Sequence, residues 1–128
     1  MSEKNPVMLI GIDAAEISLV ERWMDEGSLP TLSSLRRDGA FGPLTSTADW
    51  LVGSPWPSFY TSTLPSEHGM YHYLIWRPDK MATHRPSMDW MPLTPFWRNL
   101  GGAGTHVIAV DVPLVYTPGA FDGVEIAG

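Results

Sequence analysis

The sequence of 128 residues is long enough for one domain with a buried core, and 44% hydrophobic against 17% charged residues excludes an intrinsically disordered chain. Eight basic against fourteen acidic side chains leave a net charge of −6, which offers no basic face to nucleic acid, and the absence of cysteine excludes disulfides and thiolate metal sites. No stretch approaches the roughly 18 apolar residues that a membrane span needs, the first apolar run is too short for a signal peptide, and the expected location is the cytoplasm.

Residues 7–12 (VMLIGI) form a continuous apolar run, as expected of a parallel strand covered on both faces. Asp13 follows, with Glu16 three residues on, in the form of a capping box. The spacing then predicts a helix with Ile17, Val20 and Met24 on one face and Gly27 at its end. Ser28-Leu29-Pro30 opens a second helix through Leu32 and Leu35, stopped by Gly39. Residues 40–45 read as a returning strand, which completes a strand–helix–strand unit.

From 48 to 95 the chain is rich in Trp, Pro, Tyr and Met, including Trp50, Trp56, Trp76 and Trp90. One helix is expected there, from Ser54 to about residue 63, within ordered loop. Thr94 and Pro95 fit the N-cap and first position of a further helix that ends at Gly101-Gly102. Residues 106–112 read as an apolar strand interrupted by Asp111, and 124–127 as a short last strand. The fold class expected is α/β, a doubly wound and mostly parallel sheet with helices on both faces. Three or four strands make such a sheet thin, so the 128 residues read as an incomplete part of one domain, its remainder lying C-terminal or supplied in trans.

Several residues carry candidate chemistry. Asp13 stands where an apolar strand meets a helix, and ligands gather at the carboxyl ends of strands in open α/β sheets. Its carboxylate suits a divalent metal or a helix cap, and its two oxygens permit both. Ser54, before Pro55, is placed as an N-cap or as a nucleophile beside an anion-binding helix start formed by the N–H groups of Trp56 and Ser58. His68, in the pair His68-Gly69, is either near a site or a hydrogen-bonded structural residue. His72, His84 and His106 have no ligand-like spacing. Asp111 reads as a strand-end carboxylate, near the same face as Asp13.

The segments VMLIGIDAAE, GSLPTLSSLRRDGAFGPLTST and SPWPSFYTSTLPSEHGMYHY, in this order, resemble the N-terminal part of the type I phosphodiesterase/nucleotide pyrophosphatase proteins of the alkaline phosphatase superfamily. The resemblance continues through VDVPLVYTPGAFDGVEIAG. It implies an alkaline-phosphatase-like fold and a metal-dependent hydrolase of phosphate mono- or diesters, or of sulfate esters, acting on a small-molecule substrate. It further implies two divalent metal ions, usually zinc, with Asp13 as a metal ligand. The family's attacking Thr or Ser also bridges to metal. Counting back from the T-x-x-x-P-x-x-H-G pattern, that register falls on Val52, which has no hydroxyl. Ser54 is the nearest hydroxyl at a helix start and is assigned both roles, nucleophile and metal ligand, with Thr47 and Ser46 next. The remaining family ligands lie beyond these residues, so the 128-residue chain is expected to be inactive alone. Valine in the nucleophile register favours the alternative, a non-catalytic binding or interaction module on the same fold. A dinucleotide-binding unit is disfavoured, because no G-x-G-x-x-G follows the first apolar run.

Overall fold

The computed structural model describes residues 5–86, 93–115 and 119–126. Trp90 and the last residue of the strand expected at 124–127 lie outside the described residues. The chain forms two compact units, Met1–Leu44 and Thr45–Gly128.

The first unit is a pair of helices, α1 (Ile17–Asp25) and α2 (Pro30–Asp38). The cap of α1 is Glu16, not Asp13. The Glu16 carboxylate accepts from the N–H groups of Ser18 at 3.2 Å and Leu19 at 2.9 Å, the second and third helical positions. An N-cap side chain reaches only those positions, and Asp13 sits too far upstream, in a turn where Ala14 has φ +53°. The hydrogen bond from the Ser18 hydroxyl is the largest influence holding the Glu16 pKa below its ordinary value. Gly27 ends α1 as expected, with φ +81°. The Ser28 N–H reaches the Trp23 carbonyl and the Gly27 N–H that of Met24, so two last-turn carbonyls are satisfied. α2 opens on Pro30 and is closed by Gly39, as its sequence indicates. The Ser33 hydroxyl donates to the Met24 carbonyl at 2.8 Å, and Arg36 pairs with Asp25, so α2 is tied to α1 at two points.

Neither apolar run expected as a strand in this unit forms one: 7–12 and 40–45 have no regular structure. Val7, Met8, Leu9, Ile10 and Ile12 are exposed, Val7 by 93%. A strand exists only by hydrogen bonding to a neighbour, and hydrophobicity alone supplies none. The strand–helix–strand unit is therefore absent here.

The second unit contains α3 (Pro55–Thr61), α4 (Pro65–His68), β1 (Ile75–Arg77), β2 (Ala82–His84), α5 (Phe96–Gly102), β3 (Val107–Val110) and β4 (Gly123–Ile126). β1 and β2 form an antiparallel hairpin across a 3-10 turn at Pro78–Lys80, with Trp76 opposite Thr83. This hairpin lies within the stretch expected as loop. β3 and β4 are parallel, Ile108 opposite Val124 and Val110 opposite Ile126. Asp111 follows β3 with φ +52°, and its N–H donates to the Ile126 carbonyl at 2.7 Å, so it does stand at the strand end. Among the described residues helices mix with two small two-stranded sheets, one antiparallel and one parallel, in keeping with part of an α/β chain.

The core gathers Tyr60, Met70, Ile75, Trp97, Ala109 and Val115. It is aromatic because α3 and α5 meet through rings: Tyr60 lies 5.6 Å from Trp97, and Phe59 lies 5.8 Å edge-on to Phe96. The tyrosine hydroxyl donates to the Leu114 carbonyl at 2.5 Å. Part of the aromatic stretch is thus consumed within the chain, while Trp50 remains 89% exposed. α5 is fastened to β4 by Glu125, which accepts from the Trp97 indole at 2.8 Å and pairs with Arg98 at 3.5 Å.

Candidate active site

The helix start at Ser54 is built by a close backbone approach. Gly53 is buried, its N–H donates to the Tyr71 carbonyl at 3.1 Å, and a Cβ there would lie 2.6 Å from the His72 Cα. Only glycine fits between the two strands of backbone. The next residue, Ser54, has no exposed surface. Its hydroxyl donates to the Leu51 carbonyl at 2.6 Å and lies 2.5 Å from Thr47 Oγ1. A serine has one hydroxyl proton, so Thr47 is the donor of the second bond. Ser54 thus ends the 47–53 loop and makes no side-chain cap to α3.

The expected anion-binding pair of N–H groups is not formed. Pro55 and Pro57 have no N–H, and the Ser58 N–H donates to the Ser54 carbonyl at 2.9 Å in the first helical bond. Prolines at the first and third helical positions remove two of the three N–H donors that the first turn would offer.

The structure resolves the two readings of His68. The imidazole is 2% exposed, with Nδ1 3.0 Å from the Met70 N–H and Nε2 2.9 Å from the Ser58 hydroxyl. The Met70 amide can only donate, so Nδ1 accepts and the neutral ring carries its proton on Nε2. Nε2 therefore donates to Ser58. The pair has the spacing of a serine–histidine dyad, but its protonation is wrong for one: the nitrogen facing the hydroxyl has no lone pair to take a proton. Burial pushes the His68 pKa down, opposed in part by the carboxylate of Glu67.

Asp13 lies in an exposed turn of the first unit, and Ser54 and His68 lie in the second. Val52, in the expected nucleophile register, is 71% exposed. Asp111 is exposed, and His106 pairs with Asp122 at 3.0 Å. Among the described residues no group of three or more His, Asp or Glu side chains gathers so as to hold a metal ion. No helix among them is long and apolar enough to cross a membrane. Sequence reasoning missed Thr47 as the partner of Ser54, and Ser58 as that of His68. The only available signal was hydroxyl density, since both pairings span seven to ten residues through loop geometry.

A family model described as Type I phosphodiesterase / nucleotide pyrophosphatase matches the sequence over residues 7–121. No curated protein and no solved structure matches the chain.

Proposed function

The chain belongs to the type I phosphodiesterase / nucleotide pyrophosphatase family, and from that premise we propose that it serves the hydrolysis of phosphate mono- or diesters of small molecules. The observation that carries this is the length of the match, which takes in both the Asp13 turn and the Ser54 helix start. In this proposal Ser54 supplies the attacking oxygen and Asp13 a metal ligand on an alkaline-phosphatase-like fold.

The chemistry sets requirements. Attack by Ser54 Oγ forms a phosphorus–oxygen bond as the bond to the leaving alcohol breaks, and the hydroxyl proton must go to a base. Leu51 holds that proton through a carbonyl, a very weak base, so Ser54 must first turn away from Leu51 and Thr47. A metal-dependent enzyme answers the need for a strong nucleophile by lowering the pKa of a bound oxygen. A catalytic zinc takes three protein ligands, and among the described residues no three His, Asp or Glu side chains gather to supply them. The two-zinc assignment therefore rests on the family. The proposal includes further ligand-bearing residues outside those described, in keeping with the bare apolar surface of 7–12 and of β3 and β4.

A second reading is favoured by specific observations. The register residue is Val52, and the nearest hydroxyl is fully buried and doubly bonded. Both suit a module that binds without turnover.

The test is release of the aryl alcohol from aryl phosphate mono- and diesters, with bound metal measured in parallel. It is run on the 128-residue chain and on the protein purified from its native source. We expect turnover in the native form only, abolished by Ser54→Ala with most metal retained. Asp13→Ala is expected to lose metal. A Ser54→Ala variant at wild-type rate moves the nucleophile to Thr47 or Ser46. Absence of hydrolysis in both forms overturns the phosphate-ester proposal.

A further inference from the structure

His68 closes α4, and the chain then turns back through Gly69, whose φ is +70°. That turn drives the Met70 side chain fully into the core and brings the Tyr71 carbonyl onto the Gly53 N–H. One imidazole therefore governs two segments. Through Nδ1 it holds the 69–72 turn by the Met70 amide, and through Nε2 it holds α3 by Ser58. Gly53 and Ser54 lie where those two segments meet, with the Gly53 backbone pressed on His72.

We infer that neutral His68 is a positioning residue for the Ser54 helix start, locking the 69–72 turn onto Gly53, and that protonation of the ring releases the lock. The inference rests on the proposed hydrolase for the importance of Ser54, while the coupling itself needs no turnover.

The reason is the arithmetic of donors. A protonated imidazole has two N–H groups and no acceptor. Its Nδ1–H would face the Met70 N–H, donor against donor, in a site closed to water. Either the ring or the 69–72 turn must move, and the Gly53–Tyr71 bond is carried on that turn. The charged neighbour acting on His68 is Glu67, whose carboxylate is held by the Leu64 N–H at 3.0 Å. α3 packs on α4 and brings the Ser58 hydroxyl but no charged side chain. The turn brings Tyr71 and His72, and His72 Nδ1 accepts from the Leu74 N–H at 3.0 Å. Nothing on α3 or the turn offers an anion to hold a protonated ring in place.

The experiment is NMR of the isotope-labelled 128-residue chain from pH 8 to pH 5, following the His68 ring nitrogens and amide protection factors. At pH 8 the proton is expected on Nε2. As His68 titrates, protection at Met70 and Gly53 should fall together by about fivefold or more, the equivalent of one lost hydrogen bond. The Ser28 amide, in the other unit, should hold its protection. His68→Asn, whose carboxamide oxygen can replace Nδ1 as acceptor, should keep both amides protected without the pH dependence. A ring protonated on Nδ1 at pH 8, or Gly53 protection unchanged while His68 titrates, overturns the inference. Both decisive readings come from the wild-type chain, so a variant that fails to fold leaves them standing. They also stand apart from hydrolysis: loss of the hydrolase proposal leaves the amide coupling to be seen, and loss of the coupling leaves turnover untouched.

Discussion

At Ser54 and its neighbours, small geometric facts fix what the residues can do. Gly53 has no room for a side chain, because the atoms around the missing Cβ are His72 backbone, which cannot swing aside. Gly53→Ala is expected to destabilise the second unit by about 1–3 kcal/mol, the usual range for forcing a methyl into packed structure. Urea denaturation followed by tryptophan fluorescence would measure it, and an unchanged midpoint would mean that the 69–72 turn is soft. His68 adds a pH dependence whose sign follows from its lowered pKa. The folded state prefers the neutral ring, so its contribution is complete above the unfolded pKa of about 6.5. It is lost as pH falls through the lower folded value. The midpoint of denaturation should therefore drop below about pH 6.5, and His68→Asn should flatten that part of the profile.

The elements show which sequence signals carry weight. Helices were legible because their ends are written locally: Gly27, Pro30 and Gly39 each act within one turn of chain. Even so, Glu16 displaced Asp13 as the cap of α1, since a longer carboxylate nearer the helix reaches the same N–H groups. Strands were legible only where a partner exists. β3 found β4, whereas 7–12, at least as apolar, found none. The β1–β2 hairpin was hidden because its strands are three residues each, too short for an alternating pattern. The hydroxyls of Thr47, Ser54 and Ser58 are plain in the sequence but their bonding is not, as the capture of Ser54 by Thr47 depends on the path of the 47–53 loop. The join between α5 and β4 gives a prediction of its own. Glu125 and Arg98 have side chains only 13% and 12% exposed. Removing one partner leaves a buried charge, so Glu125→Ala should lower stability by about 3 kcal/mol. Glu125→Gln should lose less, because it keeps an acceptor for the Trp97 indole. Equal losses in the two variants would assign the whole effect to charge pairing.

Across the molecule, apolar surface is distributed unusually. Ala109 and Glu125 face inward, so alternation places Ile108, Val110, Val124 and Ile126 on the opposite face of the parallel pair, and all four are exposed. Parallel strands are ordinarily covered on both faces. The 128-residue chain is expected to bind a hydrophobic dye and to self-associate with rising concentration. Ile108→Lys with Val124→Lys should reduce dye binding while keeping the circular dichroism of the parent. A non-associating parent chain that ignores the dye would show that this face is innocuous. The bond from Tyr60 to the Leu114 carbonyl has a different consequence, one of timing. It closes a span of 54 residues, whereas α1 and α2 are joined by bonds spanning nine and eleven. As the chain leaves the ribosome, the first unit can close as soon as its own 44 residues are out. The second must wait with its aromatic rings uncovered until Leu114 emerges, and over that interval a nascent chain most needs a chaperone.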